Sequence, residues 1–162
     1  MQNTKDYVMD IRKKLNTHDE IMVPSAAIIP FKDSKIMLQL RSDSNQWGLI
    51  GGGINYGELI TNTAIRELKE ETNLDAINYD LLGIYSQFNI EYANQDKVNA
   101  FTVAFVCEVT NEKESKFNDG ETLDVKWFTI EEIRKLNLWH EKVLEISEDA
   151  FEFLNNKKVV VK

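Results

Sequence analysis

Hydrophobic and polar residues alternate along the chain with two different periods. Period-two alternation or short apolar runs predict five strands, at residues 21–31, 36–41, 81–92, 100–109 and 123–129. Spacings of three and four predict helices at residues 4–15, 58–74 and 140–155, and a capping signal predicts a short one at 130–133. The tail 157–162 could fray or could add an edge strand. This order of elements predicts an α/β fold with a mixed β-sheet between helices.

Two local signals fix helix ends. Thr129 is followed three residues later by Glu132, which predicts a capping box at the start of the short third helix. Asn73 follows the second helix and is a candidate C-cap, because asparagine tolerates the left-handed backbone conformation that ends helices. Residues 94–97 and the charged stretch 111–121 are predicted to be a turn and a loop.

The most informative stretch is the glycine triplet Gly51 to Gly53 with the helix that follows it. The triplet is predicted to be a turn, and Glu67, Glu70 and Glu71 lie on one face of the helix within a single turn. At ~4 Å and an effective dielectric of ~20, each pair of like charges costs about 4 kcal/mol before screening. A hard divalent cation with oxygen ligands would offset this repulsion.

Each of these features alone has a more ordinary explanation. A glutamate-rich helix is usually a solvated surface, and a glycine triplet is usually only a turn. The combined spacing is more specific. Gly52 is followed after five residues by Glu58, and after seven more by the run from Arg66 to Leu74, RELKEETNL. This pattern closely resembles the Nudix box of the Nudix (MutT-like) hydrolases. Asn73 stands where the family usually has glycine, and Ile50 where many members have proline.

The resemblance implies the α/β/α sandwich of that family, as one Nudix domain over residues 1–162. Residues 1–20 form a helical extension, and the box covers residues 52–74. It also implies hydrolysis of a nucleoside diphosphate linked to another group, by attack of water on the diphosphate bridge. A nucleoside triphosphate, ADP-ribose, a nucleotide sugar and a dinucleoside polyphosphate all remain open as substrates. The alternative is a catalytically silent nucleotide-binding module with the same fold.

Site roles follow from the same resemblance. Mg²⁺ is the expected cofactor, with Mn²⁺ as a substitute. The expected metal ligands are acidic residues of the box together with the Gly52 carbonyl. The candidate proton acceptors are acidic residues of the box and one residue of a later loop. The metal ligands are Gly52, Glu67, Glu70 and Glu71, the candidate catalytic residues are Glu67, Glu70 and Glu121, and the residues expected to orient the acidic cluster are Glu58 and Arg66.

Substrate contacts are a weaker inference from residue type. Arg41 could meet a phosphate, and Trp47 and Tyr85 could stack on a base, with Phe88 close by. Trp139 and His140 are further candidates for the cleft edge. Core packing for the aromatic residues, and a solvated surface for Arg41, are the alternatives.

Composition narrows the remaining possibilities. A net charge of −8 argues against nucleic acid as the main partner, because no cationic surplus meets the phosphates. No apolar run reaches the ~20 residues of a membrane helix. Cys107 is the sole cysteine, which excludes an intrachain disulfide and fits a cytoplasmic protein. The first and last helices are candidate surfaces for a homodimer.

Overall fold

The computed structural model describes residues 7–92, 94–110 and 120–162. Residues 4–6 of the predicted first helix and 111–119 of the predicted charged loop lie outside this part of the chain. The elements in order are α1 (Tyr7–Leu15), β1 (Ile21–Lys32), β2 (Lys35–Arg41), β3 (Trp47–Gly48), β4 (Ile50–Gly53), α2 (Ile60–Thr72), β5 (Asp75–Glu91), β6 (Lys97–Thr110), β7 (Thr122–Phe128), α3 (Ile130–Ile133), α4 (Glu141–Asn156) and β8 (Val160–Val161).

The sheet is mixed, as the sequence predicts, and β1 lies at its centre. Its main strand order is β3-β2-β1-β6-β5-β8, while β4 pairs with β1 and β7 pairs with β2. β1 runs parallel to β6 from the pair Ile21–Val98 to the pair Pro30–Cys107, and antiparallel to β4. Because β4 pairs with β1 and leads into α2, the glycine triplet lies at the centre of the sheet, shortly before that helix.

Two apolar cores lie on the two faces of the sheet, which confirms the α/β/α sandwich. On one face, Ala64 and Leu68 of α2 pack with Ala26, Ile28 and Phe105. The other core joins the sheet to α4; its members from the helix are Val143, Ile146, Ala150 and Phe153. The burial of this side of α2 leaves the carboxylate-bearing side of the helix facing β4.

The local signals at the helix ends are confirmed. Asn73 has a φ of 57° and caps the C-terminus of α2. The Thr129 side chain and the Glu132 side chain form the reciprocal hydrogen bonds of a capping box at the start of α3. The tail adds an edge strand, because Val160 and Val161 pair in parallel with Gly83 and Ile84. β5 begins at Asp75, six residues before its predicted start at 81.

The prediction that the glycine triplet is a turn is wrong. Gly51, Gly52 and Gly53 belong to β4 and pair with Ala27, Ala26 and Ser25 of β1. Gly51 has a φ of 150°, and a Cβ there would lie 2.2 Å from the Ala26 carbonyl oxygen. Only glycine allows this close approach of two backbones. The turn follows the triplet, between residues 54 and 59, and places Glu58 just before α2.

Candidate active site

Arg66 of α2 lies at the centre of the acidic residues. Its guanidinium donates from Nε to Glu58 at 2.9 Å and from Nη2 to the other Glu58 oxygen at 3.1 Å. Nη1 donates to Glu67 at 2.6 Å and to Glu70 at 2.9 Å. A further bond from Nη2 reaches the Gly53 carbonyl at 3.2 Å and ties α2 to β4. The hydrogen bond to Glu58 is the main cause of a raised Arg66 pKa. One cation therefore holds three carboxylates in place.

Both carboxylate oxygens of Glu58 accept hydrogen bonds. Besides Arg66, the Asn55 amide and the Thr63 hydroxyl donate to Glu58 Oε2 at 3.0 and 2.9 Å. The hydrogen bonds from Arg66 lower the Glu58 pKa to about 2. Its lone pairs are engaged by the turn, by α2 and by Arg66. Glu58 and Arg66 are thus in direct contact, and their role in orienting the acidic cluster stays a prediction.

Glu67 lies against the bare backbone of Gly52. A Cβ at Gly52 would be 2.5 Å from Glu67 Oε1 and 2.7 Å from its Cδ. Burial raises the Glu67 pKa against the lowering effect of Arg66, and the charges of Glu70 and Glu121 raise it further. A carboxylate with a raised pKa next to a cleft is suited to accept a proton. Gly52 thus provides the space that this carboxylate occupies.

The predicted metal ligands share the right chemistry but do not converge in this arrangement. Glu67 and Glu70 turn toward Arg66, while the Gly51 amide donates to Glu71 Oε2 at 3.1 Å. Within residues 7–92, 94–110 and 120–162, no group of three or more His, Cys, Asp or Glu side chains is placed to hold a metal ion. Carboxylate and carbonyl oxygens are still the donors that Mg²⁺ prefers. Side-chain rotation of Glu67 and Glu70 away from Arg66 would be required, and the metal site stays a prediction.

Glu121 lies at the start of β7, beside the polar loop that follows β2. Its carbonyl accepts from the Ser42 amide at 2.8 Å, and the Ser42 hydroxyl donates to the Gly120 carbonyl at 2.8 Å. Its negative charge contributes to the raised pKa of Glu67 after burial and after Glu70. The charge of Glu121 is therefore felt at Glu67, and the catalytic role of Glu121 stays a prediction.

An open cleft of about 120 Å³ extends from the glycine strand across the face of β1, β6 and β5. Gly51, Gly52 and Gly53 form one side of it, and its far side is aromatic, with Phe88, Tyr92 and Trp139. The Arg41 guanidinium lies 4.3 Å from the centre of the Trp139 ring and is held by Asp43 through two hydrogen bonds of 3.0 and 2.6 Å. Arg41 and Trp139 therefore both line the cleft, and a contact of Arg41 with a phosphate stays a prediction.

Trp47 and Tyr85 do not line the cleft, so their predicted role as stacking residues is wrong. Trp47 packs edge-on against Phe128, with ring centres 4.8 Å apart. Tyr85 is fully buried under α4, where its hydroxyl donates to Asp149 at 3.1 Å. Phe88 follows Tyr85 after a bulge at Gln87 and reaches the cleft.

Sequence patterns gave no signal for a hydroxyl pair in the cleft. Ser25 of β1 and Thr102 of β6 both line the cleft, and their side-chain oxygens are 2.7 Å apart. The two residues are neighbours only because β1 and β6 pair in parallel. They place polar atoms in a wall that is otherwise largely apolar, which gives the cleft both stacking and hydrogen-bonding capacity.

Two other candidates are structural. Burial raises the pKa of the Cys107 thiol to about 12, so this residue belongs to the core, as predicted. His140 accepts from the Lys142 amide at 3.0 Å and caps α4, while its Nε2 lies 2.9 Å from the Asn89 carbonyl oxygen. His140 also packs on Phe88, with ring centres 4.5 Å apart, and so supports the aromatic wall.

The described part of the chain has no helix with the length and apolarity needed to cross a bilayer.

Comparison with known proteins identifies the family. The NUDIX domain matches residues 22–146. The chain is 28% identical over 148 residues to the ADP-ribose pyrophosphatase of Methanocaldococcus jannaschii, covering 87% of this chain and 84% of that one. It is 35% identical over 91 residues to Nudix hydrolase 5 of Arabidopsis thaliana, covering 56% of this chain and only 28% of the relative.

Solved structures agree on the fold. An ADP-ribose pyrophosphatase from Streptococcus suis superposes with a TM-score of 0.68 at 18% identity, over 86% of this chain and 96% of that one. The box sequence, the sandwich with its central mixed sheet and the family match all point the same way. The chain belongs to the Nudix family and is a hydrolase that acts on pyrophosphate bonds.

Proposed function

We propose that the protein hydrolyses a nucleoside diphosphate linked to another group, with ADP-ribose as the first candidate. The observation that supports this proposal is that an acidic cluster and an aromatic cleft share the glycine strand β4. An acidic cluster organised by Arg66 lies against the glycine strand, and the same strand forms one side of a cleft walled by Arg41 and Trp139. The named activity of the Methanocaldococcus relative supports ADP-ribose among the candidates.

The cleft suits a ligand with a planar ring and an anionic bridge. Trp139 and the more exposed Tyr92 offer aromatic surface to a ligand, and stacking on such surface tolerates any base. Arg41 offers a guanidinium that can bind phosphate oxygens through two hydrogen bonds once it leaves Asp43. The Ser25 and Thr102 hydroxyls can bind sugar or base polar atoms. The diphosphate bridge would then extend along β4 toward α2.

In the reaction, a water oxygen forms a bond to one phosphorus of the bridge, and the bond from that phosphorus to the bridging oxygen breaks. The water proton passes to a carboxylate, for which Glu67, Glu70 and Glu121 are the candidates, and two phosphate products result. Mg²⁺ or Mn²⁺, held by Glu67, Glu70, Glu71 and the Gly52 carbonyl, would neutralise the diphosphate and lower the pKa of water. Arg66, which is itself bound by Glu58, keeps the Glu67 carboxylate next to Gly52.

The test is turnover on a substrate panel. ADP-ribose, nucleoside triphosphates, nucleotide sugars and dinucleoside polyphosphates are each incubated with Mg²⁺, with Mn²⁺ or with chelator, and phosphate release is measured with a coupled phosphatase for monoester products. We expect metal-dependent release from ADP-ribose. Turnover of another class would correct the substrate, and silence of the folded protein across the panel would favour the binding module.

Glu70→Gln is the informative variant in this assay. The Glu70 side chain is 53% exposed, so the neutral amide should leave folding intact. We expect turnover to fall about 100-fold or more, because a carboxylate needed for charge stabilisation is lost. Glu152→Gln removes a charge from the exposed surface of α4 and serves as the matched control. Equal turnover of the two variants would contradict the assignment of Glu70.

A further inference from the structure

Gln39 of β2 is a buried polar side chain whose amide is used at both ends. It is 1% exposed, its Nε2 donates to the Leu49 carbonyl at 3.1 Å, and its Oε1 accepts from the Thr122 hydroxyl at 2.9 Å. An amide buried without partners costs free energy, whereas an apolar side chain of similar size would fill the same space at no such cost. The paired amide therefore does more than fill volume.

The two partners of Gln39 belong to two different segments of the chain, of which one lines the cleft and the other follows Glu121. Leu49 directly precedes β4, which carries Gly52 and lies against Glu67. Thr122 directly follows Glu121 and opens β7. A single side chain thus connects the glycine strand with the residue that follows Glu121, through the interior of the sheet.

The backbone around Glu121 is irregular, which explains why such a connection matters. The pairing of β2 with β7 shifts register between Leu40 and Arg41, so that Leu40 pairs with Asp124 and Arg41 with Thr122. At the sheet end, the Ser42 amide donates to the Glu121 carbonyl at 2.8 Å. A bulge weakens the ladder locally and re-aims side chains. The Thr122 hydroxyl on Gln39 anchors the strand at this bulge.

We infer that Gln39 and Thr122 are positioning residues for Glu121: their buried hydrogen bonds fix Glu121 relative to the glycine strand and hence to the acidic cluster. Neither residue has to touch the substrate. The inference rests on the proposed function, in which Glu121 is a candidate proton acceptor, and it gives that loop residue a definite place in the hydrolysis reaction. Small displacements of such a group lower turnover without changing substrate binding.

Thr122→Val tests the inference, with Thr122→Ser as its matched control. Valine keeps the shape of threonine without the hydroxyl, and serine keeps the hydroxyl. With the substrate that the wild type turns over, we expect kcat of Thr122→Val to fall about tenfold with KM unchanged, and Thr122→Ser to stay within about twofold of wild type. Gln39→Met, which removes both hydrogen bonds at similar volume, should reproduce the loss.

A second measurement does not depend on turnover. Amide hydrogen exchange of Ser42, followed by NMR, reports on the bond to the Glu121 carbonyl. We expect exchange to be about tenfold faster in Thr122→Val and in Gln39→Met than in the wild type and in Thr122→Ser. Unchanged Ser42 exchange, or an equal loss of kcat in both threonine variants, would overturn the inference. If the wild type is inactive on the whole panel, the proposed function fails while the exchange result still decides the positioning by Gln39.

Discussion

Two arginines each fasten distant segments of this chain, but they bind different partners. Arg12 of α1 is 6% exposed and donates hydrogen bonds to the carbonyls of Thr17, Asp19 and Lys97, while its Nε makes a longer ion pair with Asp96 at 3.8 Å. Arg66 of α2 binds the carboxylates of Glu58, Glu67 and Glu70, together with the Gly53 carbonyl.

The difference lies in what each partner can do. A backbone carbonyl has a fixed position and does not titrate, so the Arg12 contacts hold the N-terminal helix on the loop between β5 and β6 in one arrangement. A carboxylate rotates, binds protons and exchanges one cation for another. The Arg66 contacts are therefore suited to rearrangement during a reaction. In this chain, the groups that accept hydrogen bonds from a partly or fully buried arginine thus distinguish a purely structural role from a role in the reaction.

The largest effect is expected from Arg66→Met. Glu58, Glu67 and Glu70 would face each other without a cation, which should lower the free energy of unfolding by about 3 kcal/mol and turnover by about 100-fold or more. Urea unfolding and phosphate release measure the two effects. Arg134→Met, which removes an exposed arginine bound to Glu131 and Glu148, is the control. Similar losses in both variants would show that Arg66 is an ordinary surface ion pair.

The second largest effect on the free energy of unfolding is expected from Arg12→Met. Three carbonyls lose their donor and α1 loses its anchor, so we expect a loss of about 2 kcal/mol in the free energy of unfolding. Turnover of the folded protein should stay within about threefold, because Arg12 is bound only to structural segments. Lys13→Met, on the exposed side of the same helix, is the control. A large fall in kcat for Arg12→Met alone would remove the distinction between the two arginines.

Glu58 and Glu67 should respond oppositely to pH. The Glu58 pKa is lowered from 4.5 to about 2, so the stability it contributes is present above pH 4.5 and is lost as pH falls toward 2. The Glu67 pKa is raised by burial, so its contribution is greatest at low pH and is lost as pH rises through that raised pKa.

With chelator at pH 7, Glu58→Gln should therefore lower the free energy of unfolding by about 1–2 kcal/mol. Glu67→Gln should raise it by about 0.5–1 kcal/mol while abolishing turnover. Thermal unfolding from pH 3 to pH 8 measures both. Destabilisation by Glu67→Gln at pH 7 would show that the hydrogen bond from Arg66 outweighs the burial of this carboxylate.

The smallest change in stability is expected from Gly52→Ala. The atoms nearest to the new Cβ belong to the end of the Glu67 side chain, which can move, so the loss should be below about 1 kcal/mol. Turnover should still fall about tenfold, because Glu67 is displaced from the glycine strand. Activity per folded molecule is the measurement. Unchanged turnover would mean that the position of Glu67 against Gly52 is irrelevant to catalysis.

Local signals in the sequence predicted much of the fold. The period of α2, the Asn73 cap and the Thr129 capping box depend on residues within one or two turns of each other, and each is found in the structure. The glycine triplet could not be predicted as a strand, because its geometry depends on the remote backbone of β1. Glycine has no Cβ, which favours turns and also allows the close approach of two strands, so the triplet resembled a turn in sequence.

The site could be predicted only in part. The spacing of Glu67, Glu70 and Glu71 placed them on one helix face, but Arg66 as their shared partner depends on side-chain directions that spacing does not give. Tyr85 and Phe88 looked equivalent in sequence. Both rings are buried, but Tyr85 packs under α4 whereas Phe88 also lines the cleft. Nothing local signalled Gln39, whose partners come from two distant segments.

The parallel pairing of β1 with β6 also has a consequence for folding kinetics. It joins Ser25 to Thr102, 77 residues apart along the chain, so the centre of the sheet cannot close until most of the chain has been synthesised. Until then the apolar edge of β1 is open to other strands, including those of other molecules. Refolding should therefore be slow for a protein of this size, and its yield should fall as protein concentration rises.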